Sequence, residues 1–266
     1  MRLGVFQPAC GGLGAAERVE RLAAYLKAQP CDLLVCPELF LSGYNVGDEL
    51  IARAEPLPGP GFEAMAALAA ETGTAIVYGY PERDGPRLYN SAACVGPDGA
   101  LLANHRKRFN SPGSFEERYF DTAGCATLFE YRGVRFAMLI CYEVELTEFT
   151  RQAAVLGADV VLVSTALVAE WKTVAERLVP TRAFENGVWI AYANHAGSEN
   201  GFDYLGGSRI VAPDGVEEAV AGTEETLVVA DFDRRRTDAA RARLPYLRDV
   251  GRFNTEARFR GEAENA

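Results

Sequence analysis

Apolar positions in this chain follow two alternating periods. Short, almost uninterrupted apolar runs have strand length: residues 2–8 (RLGVFQP), 31–37 (CDLLVCP), 74–80 (TAIVYGY), 135–141 (RFAMLIC), 159–164 (DVVLVS), 188–194 (VWIAYAN) and 226–232 (TLVVADF). Between them the period lengthens. Residues 15–29 carry Val19, Leu22, Ala23 and Leu26 at helical spacing. Residues 62–73 read as a helix that Gly73 stops, and 147–158 as another. Residues 171–187 read as a third, with a kink or boundary at Pro180. Strands without polar alternation are buried on both faces, so the pattern predicts an α/β protein with helix-covered sheets.

Two segments break the alternation. Residues 89–105 and 207–220 each read as a hairpin turning on Pro-Asp-Gly. Their similar placement in the two halves points to two similar sheets related by a pseudo-twofold axis, each backed by helices. No Pro/Gly/Ser-rich linker divides the chain, so 1–266 reads as one domain. A polar, Arg-rich tail, about 246–266, has few core positions and is expected to be frayed or docked on a partner subunit.

Composition narrows the function. At 266 residues and 48% hydrophobic, the chain can bury a sizeable core. A net charge of −10 argues against nucleic acid or an anionic membrane as partner. No run approaches the roughly 18 apolar residues of a membrane span. The opening MRLGVFQPA reads as a strand and not a signal peptide, which makes the cytoplasm the expected compartment. The six cysteines read as free buried thiols. Together with His105 and His195 they show no metal-ligand spacing, so no metal is expected.

The candidate chemistry lies where strands end, as sites do in open α/β sheets. Cys141 and Glu38 each follow a buried run, and Lys107 follows the first hairpin. Taken singly, each has a plainer reading: a small core thiol, a solvated loop carboxylate and one cation of an exposed basic cluster. Taken together they are chemically complete. A carboxylate can take the thiol proton and return it to a leaving amine, while an ammonium favours the thiolate and an oxyanion. The Tyr142 N–H would be a second oxyanion donor.

The stretches PELFLSGY, HRKRFN and LICYEVEL, in this order and spacing, resemble the Glu, Lys and Cys motifs of the nitrilase superfamily, the carbon–nitrogen hydrolases. The resemblance spans about residues 1–235 and includes VFQPA, FEERYFDTAG, GADVVLVSTA, TRAFENGVWIAYAN and GGSRIVAPDG. It implies a four-layer α-β-β-α sandwich, a homodimer, a catalytic Glu38–Lys107–Cys141 triad and no cofactor. It also implies a second active-site glutamate. The pattern in EERYF selects Glu116, with Glu117 as the competing choice. The residues after the strand are Cys-Tyr-Glu, where many family amidases have Cys-Tyr-Asp and nitrile hydrolysers more often Cys-Trp-Glu.

The chain looks most like small bacterial amidases of this group, including R-stereoselective ones. The expected activity is therefore thiol-dependent hydrolysis of a small aliphatic or amino-acid-type carboxamide, with nitriles poor. An N-carbamoyl hydrolase, a nitrilase or a non-catalytic binding member are the alternatives. Tyr44, Tyr142, Glu143, Trp171 and Phe149 are candidates to line the pocket. Glu143 and Glu145 either favour substrates carrying an amine or form structural ion pairs. Asn194 and His195 follow another strand, with His195 read as a hydrogen-bonded loop residue.

Overall fold

The computed structural model describes residues 1–252. Strands β1 (Arg2–Gln7), β2 (Leu33–Val35) and β3 (Ala75–Asp84) run parallel, and helices α1 (Ala15–Ala28), α2 (Glu49–Arg53) and α3 (Pro60–Thr72) lie in the connections. Gly73 takes the left-handed conformation that closes α3, φ +68°. Strands β4 (Arg87–Val95) and β5 (Leu101–Arg106) then add antiparallel across the first Pro-Asp-Gly turn.

After the short helix α4 (Glu116–Tyr119) the scheme repeats. Strand β6 (Thr127–Tyr131) pairs antiparallel with β7 (Val134–Ile140). Strands β7, β8 (Val160–Ser164) and β9 (Trp189–Ala193) are parallel, crossing through α5 (Thr147–Val155) and α6 (Val179–Asn186). A small hairpin follows, β10 (Ser198–Glu199) with β11 (Phe202–Asp203). Strands β12 (Arg209–Val211) and β13 (Glu217–Val220) form the second Pro-Asp-Gly hairpin, and β14 (Thr226–Asp231) returns to pair antiparallel with β1. The two six-stranded sheets run β14-β1-β2-β3-β4-β5 and β6-β7-β8-β9-β12-β13. Each has one antiparallel edge strand, three parallel strands and an antiparallel hairpin, which is the expected pseudo-twofold.

Alternate side chains of one strand serve different layers, which is why the strands read as continuous apolar runs. Leu33 and Val35 point between the sheets, into a core shared with Met138, Ile140, Leu162 and Ala191. Leu34 points outward to Leu22, Leu26, Met65 and Leu68 of α1 and α3. On the far side, Leu139, Val161 and Ile190 meet Phe149, Ala153, Val179 and Ala183 of α5 and α6. Four layers result, α-β-β-α. Among the described residues no helix is long and apolar enough to cross a membrane.

Several elements depart from expectation. The helix foreseen over 171–187 is divided into a 3₁₀ turn (Ala169–Trp171), a π turn (Val174–Leu178) and α6, with Pro180 in the first turn of α6. Proline lacks the N–H that a continuous α-helix would use there. Strand β6 and the β10–β11 hairpin were not foreseen, being short and mixed in polarity. Nor were α7 (Arg234–Arg243) and α8 (Tyr246–Val250). Helix α7 docks by ions and not by an apolar stripe: Arg234 pairs with Asp159, and Arg241 donates to the carbonyls of Gly187 and Ala158. Through α8, with Leu247 packed on the α5–α6 layer, the start of the tail docks on its own chain. Residues 253–266 of the tail lie outside the described residues. The cysteines are free but not all buried: Cys125 is exposed and Cys10 half-buried.

Candidate active site

Strand β2 ends two residues before Pro37, and Glu38 follows in a loop that presses on β3 at Gly79. A Cβ at Gly79 would stand 2.3 Å from the Leu39 nitrogen and 2.6 Å from the Pro37 carbonyl. Only glycine permits that approach. The loop is also tied to the second sheet. The Glu38 N–H donates to the Thr165 carbonyl (3.3 Å), Ser164 Oγ to the Cys36 carbonyl (2.8 Å) and His195 Nε2 to the Glu38 carbonyl (2.8 Å). Burial lowers the His195 pKa to about 4, so the ring is neutral and acts as a clamp. Asn194 is likewise a bracket, its amide holding both backbone groups of Leu167.

Lys107 follows β5, where its N–H donates to the Asn90 carbonyl at 2.8 Å. Cys141 follows β7 in the left-handed region, φ +49°, and opens a 3₁₀ turn over Cys141–Val144. Such a conformation is uncommon for a side-chain-bearing residue and marks a sharp elbow. Glu143 braces it. Its carboxylate accepts from the Ile140 N–H (2.7 Å) and the Arg108 N–H (2.9 Å) and is bonded to His105 Nε2 (2.8 Å). Burial works to raise the Glu143 pKa, and His105 with these donors more than reverses it. Glu143 is therefore fully buried and spent on the elbow, contrary to its expected place in the substrate pocket.

Glu38, Lys107 and Glu116 are fully buried together. Lys107 Nζ lies 2.7 Å from Glu38 Oε1 and 2.6 Å from Glu116 Oε2. Asn90 Nδ2 also donates to Glu38 Oε1, at 2.7 Å. Glu38 Oε2 has no partner among the described residues. Glu116 Oε1 accepts from Tyr44 OH at 2.6 Å and Ser111 Oγ at 3.3 Å. The neighbouring Glu117, the competing choice, is exposed. Tyr44 is held in turn by the buried Glu199, whose Oε2 accepts from the N–H groups of Tyr44 (3.0 Å) and Asn45 (2.7 Å) and from Tyr204 OH (3.0 Å).

One ammonium thus faces two carboxylates away from water. Burial pushes Glu38 up, Lys107 pulls it down and Glu116 pushes it up again, leaving it at about 7. Burial works to lower Lys107, but Glu116 and Glu38 outweigh it and hold the ammonium charged. Burial and then Glu38 raise the Cys141 thiol well above its ordinary range, against Lys107. The resting arrangement is a protonated thiol beside a near-neutral base and a fixed cation. Such a set can move a proton from sulfur as a bond forms.

The thiol opens into a cleft of about 820 Å³ whose walls include Tyr44, Cys141, Tyr142, Glu145, Trp171 and Phe202. Trp171 stands at its rim, 59% exposed. Phe149 is not there; it packs in the α5–α6 layer. Asn90, Ser111, Phe202 and Asp203 were missed in the sequence. Asn90 had a signal, a polar amide inside an apolar strand; Ser111 lies in a loop, and Phe202 with Asp203 forms a strand of two residues, too short for periodicity to reach. Among the described residues no cluster of side chains could hold a metal ion.

With this fold, the comparisons agree. The carbon–nitrogen hydrolase family matches residues 12–242. A Pseudomonas protegens protein named hydrolase in pqqF 5′ region is 40% identical, over 94% of this chain and 88% of its own. An (R)-stereoselective amidase from Pseudomonas sp. is 36% identical, over 82% and 79%. A solved amidase from Nesterenkonia sp. AN1 superposes with a TM-score of 0.83 at 32% identity, covering 94% of this chain and 96% of that one. A variant of that amidase, solved in complex with butyramide, superposes at 0.78 with 31% identity over 92% and 95%. The chain belongs to the carbon–nitrogen hydrolase family, the nitrilase superfamily. It is a hydrolase of carbon–nitrogen bonds other than peptide bonds, of the amidase kind.

Proposed function

We propose that the protein hydrolyses a small carboxamide to a carboxylate and ammonia through a thioester on Cys141. Glu38 Oε2 takes the thiol proton as Sγ attacks the carbonyl carbon. The oxyanion is met by Lys107 Nζ and by the Tyr142 N–H, which, in the first turn of its 3₁₀ helix, has no intrahelical acceptor. Glu38 returns the proton to nitrogen and ammonia leaves. A water, deprotonated by Glu38, then attacks the thioester; the carboxylate departs and sulfur regains its proton. Glu116, held by Tyr44 and Ser111, keeps Lys107 charged and in place.

The observation that carries this reading is the Glu38 carboxylate: Oε1 is occupied by Lys107 and Asn90 while Oε2 is buried and unpartnered. A base with one oxygen anchored and the other idle suits repeated proton transfer. The amide route, unlike the nitrile route, begins with an oxyanion that expels ammonia, and both oxyanion donors are at hand. The butyramide complex of the Nesterenkonia amidase supports a small aliphatic amide.

The reading includes a cytoplasmic homodimer. Supporting the dimer are the exposed Val155, Phe184 and Tyr246 on the neighbouring helices α5, α6 and α8, with Leu156 just past the end of α5. A monomer mass in sedimentation would remove that part.

The test is ammonia release from butyramide, its nitrile and its N-carbamoyl counterpart, with intact-mass detection of an acyl adduct on the Cys141 peptide. Preference for the nitrile or carbamoyl compound by tenfold, about 1.4 kcal/mol, would overturn the amidase reading. Turnover that survives Cys141→Ala would overturn the mechanism.

A further inference from the structure

The cleft is larger than a small amide needs, and its charge is one-sided. Among the described residues, its walls beside Cys141 carry three carboxylates, Glu145, Glu170 and Asp203, and no Lys, Arg or His. The cation beneath it, Lys107, is already held by Glu38 and Glu116. None of the three wall carboxylates makes an ion pair among the described residues, whereas the nearby Glu143 is paired with Arg108 and bonded to His105.

Glu145 is the most constrained of the three. Arg182 donates to its backbone carbonyl at 2.6 Å and to the Val144 carbonyl at 3.1 Å, fixing the main chain one turn beyond the nucleophile. Its carboxylate accepts no hydrogen bond from the described residues, yet it is only half exposed and lines the cleft. In the same cleft, the largely exposed Trp171 ring offers a face that attracts cations. A half-buried carboxylate that accepts no hydrogen bond among the described residues, in a cleft that an exposed indole also lines, is an arrangement that an ammonium group completes.

We infer that the substrates are amides whose far end carries an ammonium group, with Glu145 as the specificity-determining residue; this rests on the amidase reading above. Glu145 meets the ammonium, Trp171 covers it, and Glu170 with Asp203 repels amides that end in a carboxylate. No bond is made or broken by these residues.

The test uses three primary amides with four methylenes between the carboxamide and a terminal ammonium, methyl or carboxylate group. Wild-type kcat/KM should favour the ammonium over the carboxylate compound by about 100-fold. Glu145→Gln should cut that ratio about tenfold, Glu145→Lys should bring it to unity or below, and rising salt should shrink it in the wild type. Glu130→Gln, on β6 and outside the cleft, should leave the ratio alone. A wild-type ratio near unity, or one favouring the carboxylate, would overturn the inference, and so would a ratio indifferent to both Glu145 variants. The wild-type ratio stands as a test even if a variant fails to fold. The methyl compound separates the two readings. If it is hydrolysed while the ratio is flat, only this inference fails. If none of the three amides is hydrolysed, the amidase reading fails.

Discussion

Glu38→Gln should make the protein inactive and more stable, and the gain should depend on pH. Burial raises the Glu38 carboxyl from 4.5 to about 7. Between those values the folded protein keeps a proton that the unfolded chain releases. The carboxyl therefore costs nothing below pH 4.5, destabilises increasingly as pH rises, and reaches its full cost above 7. A rise of that size corresponds to on the order of 3 kcal/mol. Glutamine mimics the neutral acid. Its carbonyl oxygen can still accept from Lys107 and Asn90, and its NH₂ falls where Oε2 meets no donor. The variant should exceed wild type by about 3 kcal/mol at pH 8, about 2 at pH 6 and under about 1 at pH 5. At about 2–4 °C per kcal/mol, the melting point at pH 8 should rise by about 6–12 °C. Urea unfolding across this pH range measures it, with ammonia release from the same samples falling by roughly 10² to 10⁴. A variant less stable than wild type at pH 8, or a difference that ignores pH, would refute the reasoning: Lys107 would then compensate the charge fully.

In steady-state kinetics, kcat/KM should rise with pH through about 7 as Glu38 loses its proton; an acid limb near 4 would contradict the raised carboxyl. Lys107→Arg keeps the charge but forces a planar fork into a fully buried slot between two carboxylates, so turnover should fall by at least about 100-fold, checked by single-turnover assay. Iodoacetamide should label the exposed Cys125 before Cys141, whose thiol is buried and hard to ionise, as peptide mapping would show. Tyr44→Phe should lower kcat about tenfold, and Glu199→Gln should add little in that background, because Glu199 acts by holding Tyr44.

Much of the layered core was legible because buried parallel strands carry an unmistakable apolar run, and the paired Pro-Asp-Gly turns disclosed the repeat. Helix α7 was illegible for the opposite reason: Arg234, Arg236 and Arg241 hold it by charge, and charge has no period. In the candidate site, Glu38, Lys107 and Cys141 stood out because each follows a strand and their chemistry is complementary; the structure pairs the first two and sets Cys141 in the cleft wall. Glu143 misled because adjacency in sequence was taken for adjacency in the cleft. The left-handed Cys141 turns the chain so that a carboxylate two residues on faces back toward the Ile140 N–H. Asn90, Glu199 and His195 act through contacts 52, 155 and 157 residues away in sequence, which no local pattern encodes.

The base and the ammonium ride on one sheet and the thiol on the other, and three hydrogen bonds stitch the loop of Glu38 to the opposite half. In the proposed mechanism neither half is an enzyme alone. The chemistry exists only at the seam, and a slip of one sheet past the other by a single residue, about 3.3 Å, would part sulfur from carboxylate while leaving both sheets intact. Turnover is thus a gauge of alignment. It reports the relative position of two halves more finely than any spectrum of their secondary structure could. A substitution such as Ser164→Ala, which loosens the stitch, should show first as lost rate and only later as lost fold.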